Sequence, residues 1–282
     1  MSILEAALLG LLQGLSEFLP ISSTAHVTVA GKLLNLVPAD KPELWTAFLA
    51  VIQLGTLISI LTYFAKDIYN ITFEFFRDNF KLGLRYGDQG INSRLGWMII
   101  VGTVPIIVAG LMMKEVIEGS ITKNLYLIAG SLIVFAVILA FAEKKANHKR
   151  DMKDLRLAES LLIGIAQAFA LIPGASRSGT TITGGLFMGL NRSDAARYSF
   201  LLSIPAVFTS GLFELYRSFN YLQASAVINL ITASLVASLS GYFAIDFLIK
   251  FLKKHSTFIF VYYRIALGLL IIVLLITNGI NN

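Results

Sequence analysis

Apolar positions along the chain run in long unbroken blocks rather than in the alternation of a half-buried strand. Blocks at 44–64, 97–113, 125–141, 200–216, 224–248 and 258–276 have the length of a membrane-crossing helix, about 17 to 25 residues. Lipid offers no partner to an open backbone, so only helices or closed barrels can span it. The ten-residue alternating segments of a barrel do not occur. Two further segments, around 5–35 and 159–190, are apolar but interrupted by polar clusters. The first carries QGLSEFLPISSTAH (13–26) and the second PGASRSGTT (173–181). The pattern predicts an all-α integral membrane protein with about six transmembrane helices plus two re-entrant helical hairpins.

Composition supports this class. Of 282 residues, 56% are hydrophobic and 14% charged, with a mean hydropathy of +0.75, where a soluble domain is about a quarter charged. There is no cysteine, which excludes disulfides and thiol catalysis. The net charge of +6 does not mark a nucleic-acid binder, because the basic residues lie in loops between apolar blocks. Lys66, Arg77, Lys81, Arg85 and Arg94 occupy one loop, Lys144 to Arg156 a second, and Lys250, Lys253 and Lys254 a third. Basic loops stay in the cytoplasm. Six spans satisfy that placement if the two interrupted segments dip in and return, the first from outside and the second from the cytoplasm. Both chain ends are then expected outside. The start, MSILEAALLGLLQG, lacks the basic region of a cleavable leader, and none is expected.

The two dipping segments resemble each other. GLLQGLSEFLPISST, from Gly10, and GIAQAFALIPGASRSGTT, from Gly164, share Gly-x-x-Gln, an apolar stretch, a proline and serines. TVPIIVAG (103–110) echoes SIPAVFTSG (203–211). The expected organisation is a single membrane domain over 1–282: repeat one at roughly 1–142, a basic cytoplasmic linker at 143–157 and repeat two at roughly 158–278. Opposite sides of insertion make the repeats inverted, an arrangement that places polar sites at broken helices near the midplane.

Pro20, and Pro173 with Gly174, break their helices, and the freed backbone must be satisfied in protein or in a wet cavity. Gln13 and Glu17 are four apart, on one helical face. A charged glutamate at that depth costs on the order of 2.5 kcal/mol unless paired or wetted, so it reads as a hard-cation ligand or a base, or else as a partner for a neighbouring helix. Ser22, Ser23 and Thr24 follow the proline; one can cap a helix. Ser23 and His26 are three apart, and a serine becomes a nucleophile beside a base such as histidine. Arg177 needs an anion and its planar fork suits phosphate. Ser176, Ser178, Gly179, Thr180 and Thr181 set hydroxyls and N–H groups around it, at what would be a helix N-terminus. An Arg177–Glu17 ion pair without substrate is the structural alternative. Together the two dips supply what phosphoryl transfer requires.

These motifs carry a resemblance. QGLSEFLPISSTAH is similar to the (E/Q)xxxE motif and trailing SST-x-H of the undecaprenyl-diphosphate phosphatases, the UppP or BacA-type family, and PGASRSGTT matches its PGxSRSxxT motif. VIQLGT (51–56) and SFLLSIPA (199–206) extend the likeness over nearly the whole chain. The resemblance implies a bacterial inner-membrane enzyme, its site opening to the outer side. It would remove one phosphate from the C55 isoprenyl diphosphate, recycling the carrier for peptidoglycan synthesis and conferring bacitracin resistance. It also implies a divalent metal, Mg²⁺ or Ca²⁺, and an inverted-repeat fold.

Carried over by motif, Gln13 and Glu17 stand at the metal positions, and Ser23, His26, Glu17 and Arg177 at catalytic positions. Ser176, Arg177, Ser178, Gly179 and Thr181, with Thr24, stand around the phosphates. Gln13 brings an amide where relatives have either amide or carboxylate, leaving the metal site one negative charge fewer. Ala25 replaces a glycine frequent in relatives. In the expected reaction Ser23 attacks the terminal phosphorus and His26 takes its proton. His26 as nucleophile, or His26 and Glu17 activating water, are open variants. A transporter or flippase for a polyprenyl phosphate is the alternative function. Expected partners are the polyprenyl diphosphate substrate, the membrane lipids and, as an arrangement left open, a second copy in a homodimer; nucleic acid is not among them.

Overall fold

The computed structural model describes residues 1–38, 40, 42–218 and 224–281. Among them the chain is helical, with no β-strand. A broken pair opens it, α1 (Ile3–Phe18) and α2 (Ser23–Leu33). Next come α3 (Pro42–Tyr63), α4 (Ala65–Phe76), α5 (Ile91–Met112), the short α6 (Lys114–Glu118) and α7 (Leu125–Lys145). A second broken pair, α8 (Leu157–Ala168) and α9 (Arg177–Phe187), precedes α10 (Arg192–Ser218), α11 (Ala224–Leu252) and α12 (Phe258–Ile276).

Six of the described helices, α3, α5, α7, α10, α11 and α12, are long and apolar enough to cross a membrane, as the apolar blocks predict. Several run further than those blocks because hydropathy marks only the lipid-immersed part. α5 starts at Ile91, where Asn92 donates to Glu74 and Ser93 to Gln89. α10 begins at Arg192 and includes Arg197, paired with Asp67. Leu235, Leu239, Phe243 and Ile276 are exposed on the protein surface, the expected solvent there being lipid.

The first basic loop is not all loop. It contains α4 and a π-helical turn at Arg77–Lys81. Tyr69, Phe73, Phe76 and Phe80 recur at helical spacing and stay exposed. Twelve residues are too few to register as a span, and their charges hid the helix among loop residues.

Close packing positions the broken pairs. α1 lies on α11 through small residues: a Cβ at Gly10 would come 2.2 Å from the Ala233 carbonyl oxygen, and one at Gly14 2.0 Å from Ser240 Oγ. α8 lies on α5 in the same manner, with a Cβ at Gly164 falling 2.1 Å from the Gly102 carbonyl oxygen. Small residues allow such backbone approach within a membrane, where dispersion and hydrogen bonds replace the hydrophobic drive.

Candidate active site

Both breaks are built alike. α1 stops at Phe18, and Ser22 then takes φ 74° and ψ 94°; α9 is preceded by Ser176 at φ 71° and ψ 112°. Serine in that region is strained by about 1–3 kcal/mol, and each serine offsets part of this by capping its helix. Ser22 Oγ accepts from Ala25 N at 3.3 Å, and Ser176 Oγ from Gly179 N at 3.2 Å. Both second helices close on a residue of positive φ, Asn35 and Gly189. There Leu36 N donates to the Gly31 carbonyl and Leu190 N to the Gly185 carbonyl, a Schellman-type ending.

The two breaks meet. Ser178 Oγ donates to the Leu19 carbonyl at 2.9 Å, and Arg177 Nη2 donates to Glu17 Oε1 at 2.6 Å. Glu17, only 5% exposed, also accepts from Ser23 Oγ at 2.6 Å and from Gln13 Nε2 at 2.7 Å, both on Oε2. One buried carboxylate therefore gathers the amide, the hydroxyl and the guanidinium that sequence spacing singled out. The Arg177–Glu17 pair weighed above is present.

Other candidates are placed differently. The Ser22 carbonyl can only accept, so His26 Nδ1, 2.7 Å away, carries the hydrogen, and Nε2 accepts from the Tyr263 hydroxyl at 2.7 Å. The two rings stack with centroids 5.6 Å apart. His26 is thus fastened to α12 and makes no hydrogen bond to Ser23. Thr181 Oγ1 donates to the Arg177 carbonyl and meets Ser199 Oγ on α10. Ser176, besides its cap, lies 3.3 Å from Ser178 Oγ. Gly179 gives its N–H to Ser176. Thr24 is half-buried and no hydrogen bond joins it to the Glu17 cluster.

Arg264 on α12, which the sequence reading passed over, is wholly buried and donates through Nη2 to the Gly174 and Ala175 carbonyls at 3.1 and 2.8 Å. It satisfies the backbone that Pro173 and Gly174 free, and a Cβ at Gly179 would lie 2.7 Å from its Nη1. The available signal was an arginine inside the apolar block FVYYRIALG, where any charge marks a polar interior. Tyr263 carried no such signal, since aromatics are common in spans.

A cavity of about 430 Å³ leads to Glu17 and Arg177. Its walls are apolar, with Ile106, Ile107 and Leu111 from α5 and Val207 and Phe213 from α10. Gln53 and Gln167 join the two charged groups, and Lys114, Glu118 and Glu214 lie toward α6. α6 follows the end of α5 remote from the basic loop 77–94, so the cavity reaches the face opposite the lysine-rich loops. Among candidate residues Glu17 and Arg177 line it; Ser23 and Gln13 reach it only through their hydrogen bonds to Glu17, and His26 does not line it.

Comparison with known proteins agrees with this chemistry. A family model described as bacitracin resistance protein BacA matches residues 6–270. The chain is 49% identical over 280 residues to an undecaprenyl-diphosphatase of Syntrophobacter fumaroxidans, covering 99% of this chain and 100% of that one. It is 49% identical over 281 residues to one of Myxococcus xanthus, covering 100% and 92% respectively. It is 48% identical over 292 residues to one of Prosthecochloris aestuarii, covering the whole of both.

Proposed function

The chain belongs to the BacA family of bacitracin resistance proteins, and on that footing we propose how its site works. It is an integral-membrane phosphatase that hydrolyses undecaprenyl diphosphate to undecaprenyl phosphate and inorganic phosphate, recycling the lipid carrier. The diphosphate enters the cavity with its prenyl chain along the apolar walls. Arg177 transfers from Glu17 to the phosphates, trading one anion for another. Ser23 Oγ forms a bond to the terminal phosphorus, and the bond from that phosphorus to the bridging oxygen breaks. Undecaprenyl phosphate leaves with that oxygen. The serine proton passes to Glu17, released from its ion pair, and on to the leaving phosphate. Water then cleaves the phosphoserine to give inorganic phosphate. His26 positions Ser23 by holding the Ser22 carbonyl.

The single observation that carries this reading is Glu17 receiving Ser23 and Arg177 at 2.6 Å each, the nucleophile–base–anion-binder arrangement of phosphoryl transfer. Among the described residues no three of His, Asp and Glu gather around one point. One carboxylate, Glu17, with the Gln13 amide beside it, still matches the sparse protein contribution to a Mg²⁺ site completed by substrate phosphates. These two residues would hold Mg²⁺ or Ca²⁺, which would neutralise phosphate charge. The protein sits in the bacterial cytoplasmic membrane with the cavity facing outward, and the two broken pairs are inverted re-entrant hairpins.

The test uses purified protein with farnesyl diphosphate and Mg²⁺ or Ca²⁺. Phosphate release, its loss in Arg177→Ala, and a trapped phosphoryl group on Ser23 are expected. No release refutes the phosphatase, and a label on His26 refutes the role of Ser23.

A further inference from the structure

Gly-x-x-Gln occurs twice, at 10–13 and 164–167, but the two glutamines have different surroundings. Gln13 gives its amide to Glu17, four residues on. The position four residues after Gln167 is Leu171. Gln167 is 0% exposed, and neither its Nε2 nor its Oε1 has a hydrogen-bond partner among the described residues. It lines the cavity beside Glu17 and Arg177. Arg177 Nη1 is likewise buried there without a partner. Gly164, one turn before Gln167, lies against Gly102, so the glutamine continues the same face of α8 to the cavity that α5 and α10 also line.

Buried amides are almost always paired, because an unpaired one forfeits its hydration. Packing alone does not account for a glutamine here: leucine or methionine would fill the space without that penalty. Two orphaned groups of the same character, an amide N–H and a guanidinium N–H, border one cavity.

We propose that Gln167 is a substrate-binding residue of the diphosphate site. Its Nε2 donates to a phosphate oxygen of the head group that Arg177 Nη1 engages, and the hydrated head group supplies a donor for Oε1. The assignment rests on the phosphatase reading. It gives the two repeats distinct tasks, with Gln13 holding the carboxylate of the first break and Gln167 greeting the anion from the second.

The experiment compares wild type, Gln167→Met and Gln167→Glu in detergent. Thermal stability, kcat and KM for farnesyl diphosphate, and the thermal shift caused by inorganic pyrophosphate are read together. Gln167→Met is expected to match or exceed wild-type stability while KM rises about tenfold, the loss of one hydrogen bond to a charged group, and the pyrophosphate shift shrinks. Gln167→Glu is expected to lose more, through repulsion. A Met variant with unchanged KM and pyrophosphate shift, or one that is destabilised with both unchanged, overturns the proposal. If wild type releases no phosphate the phosphatase reading falls. The pyrophosphate shift then still decides Gln167, upheld if the Met variant loses it and refuted if it does not.

Discussion

Removing either member of the Arg177–Glu17 pair should expose how strongly the two breaks are held together. Their side chains are 13% and 4% exposed. An exposed pair would be worth about 0–1 kcal/mol. A buried pair is unlike that, because deleting one member strands the other, at about 3–5 kcal/mol. In Glu17→Ala the stranded group is Arg177, whose Nη1 is already without a partner, and Ser23 and Gln13 lose their acceptor as well. In Arg177→Ala the carboxylate keeps those two donors, so its loss belongs at the lower end of the range. The double variant strands neither charge and should cost no more than the worse single variant, a coupling of about 3 kcal/mol. Thermal unfolding in mild detergent reads the result: a chain of this size loses about 2–4 °C per kcal/mol, so Glu17→Ala should fall by about 10 °C. Single effects that add in the double variant, or that stay below about 1 kcal/mol, would refute the reasoning.

Three further outcomes follow from particular features. Since the chain has no cysteine, single cysteines report sidedness directly. Leu4→Cys and Leu33→Cys should react with an impermeant maleimide from one side, and Lys153→Cys and Phe187→Cys from the other; opposite sidedness within either pair excludes re-entrance. Gly164→Val should cost about 3 kcal/mol by overpacking against the Gly102 carbonyl, lowering the yield of monodisperse protein. Gly110→Ala, with nothing within 4 Å of the new Cβ, should be silent by the same chromatography. Lys123 lies beyond the spans, donating to Thr46 Oγ1 and to the Ile117, Glu118 and Gly119 carbonyls, and burial pushes its ammonium down to about 8. The unfolded chain then holds the extra proton between about pH 8 and the ordinary lysine value near 10.4, so stability should rise with pH across that window. Thermal scans at both ends should show this in wild type and not in Lys123→Met.

The fold was largely legible because lipid enforces a simple rule, continuous apolar length. α12 coincides with its block, while α5 and α10 extend past theirs where polar residues leave the hydrocarbon. α4 was lost because an amphipathic helix of three turns carries as many charges as a loop. At the site, proline and serine at apolar depth revealed both breaks, and Glu17 and Arg177 were legible as charges needing partners. The hydrogen-bond partners of His26 were not. Helical spacing puts it near Ser23, but Tyr263, 237 positions away, sets the direction of its ring, and no local pattern encodes a partner so distant. Gln167 stood in plain view as half of a repeated motif, with Leu171 where its twin Gln13 has Glu17; only the structure shows its amide buried beside the cavity without a partner.

The bond from Ser178 to the Leu19 carbonyl, beside the ion pair, makes the meeting point of the two breaks a latch. A protein that ferried its lipid to the far leaflet would have to part the Ser178 bond in every cycle, baring a main-chain oxygen, whereas the proposed hydrolysis moves only the neighbouring guanidinium. Left in place while Arg177 changes partner, that bond would keep the two halves of the chain joined at the base of the cavity, and the proposed head group and spent phosphate would then share one mouth.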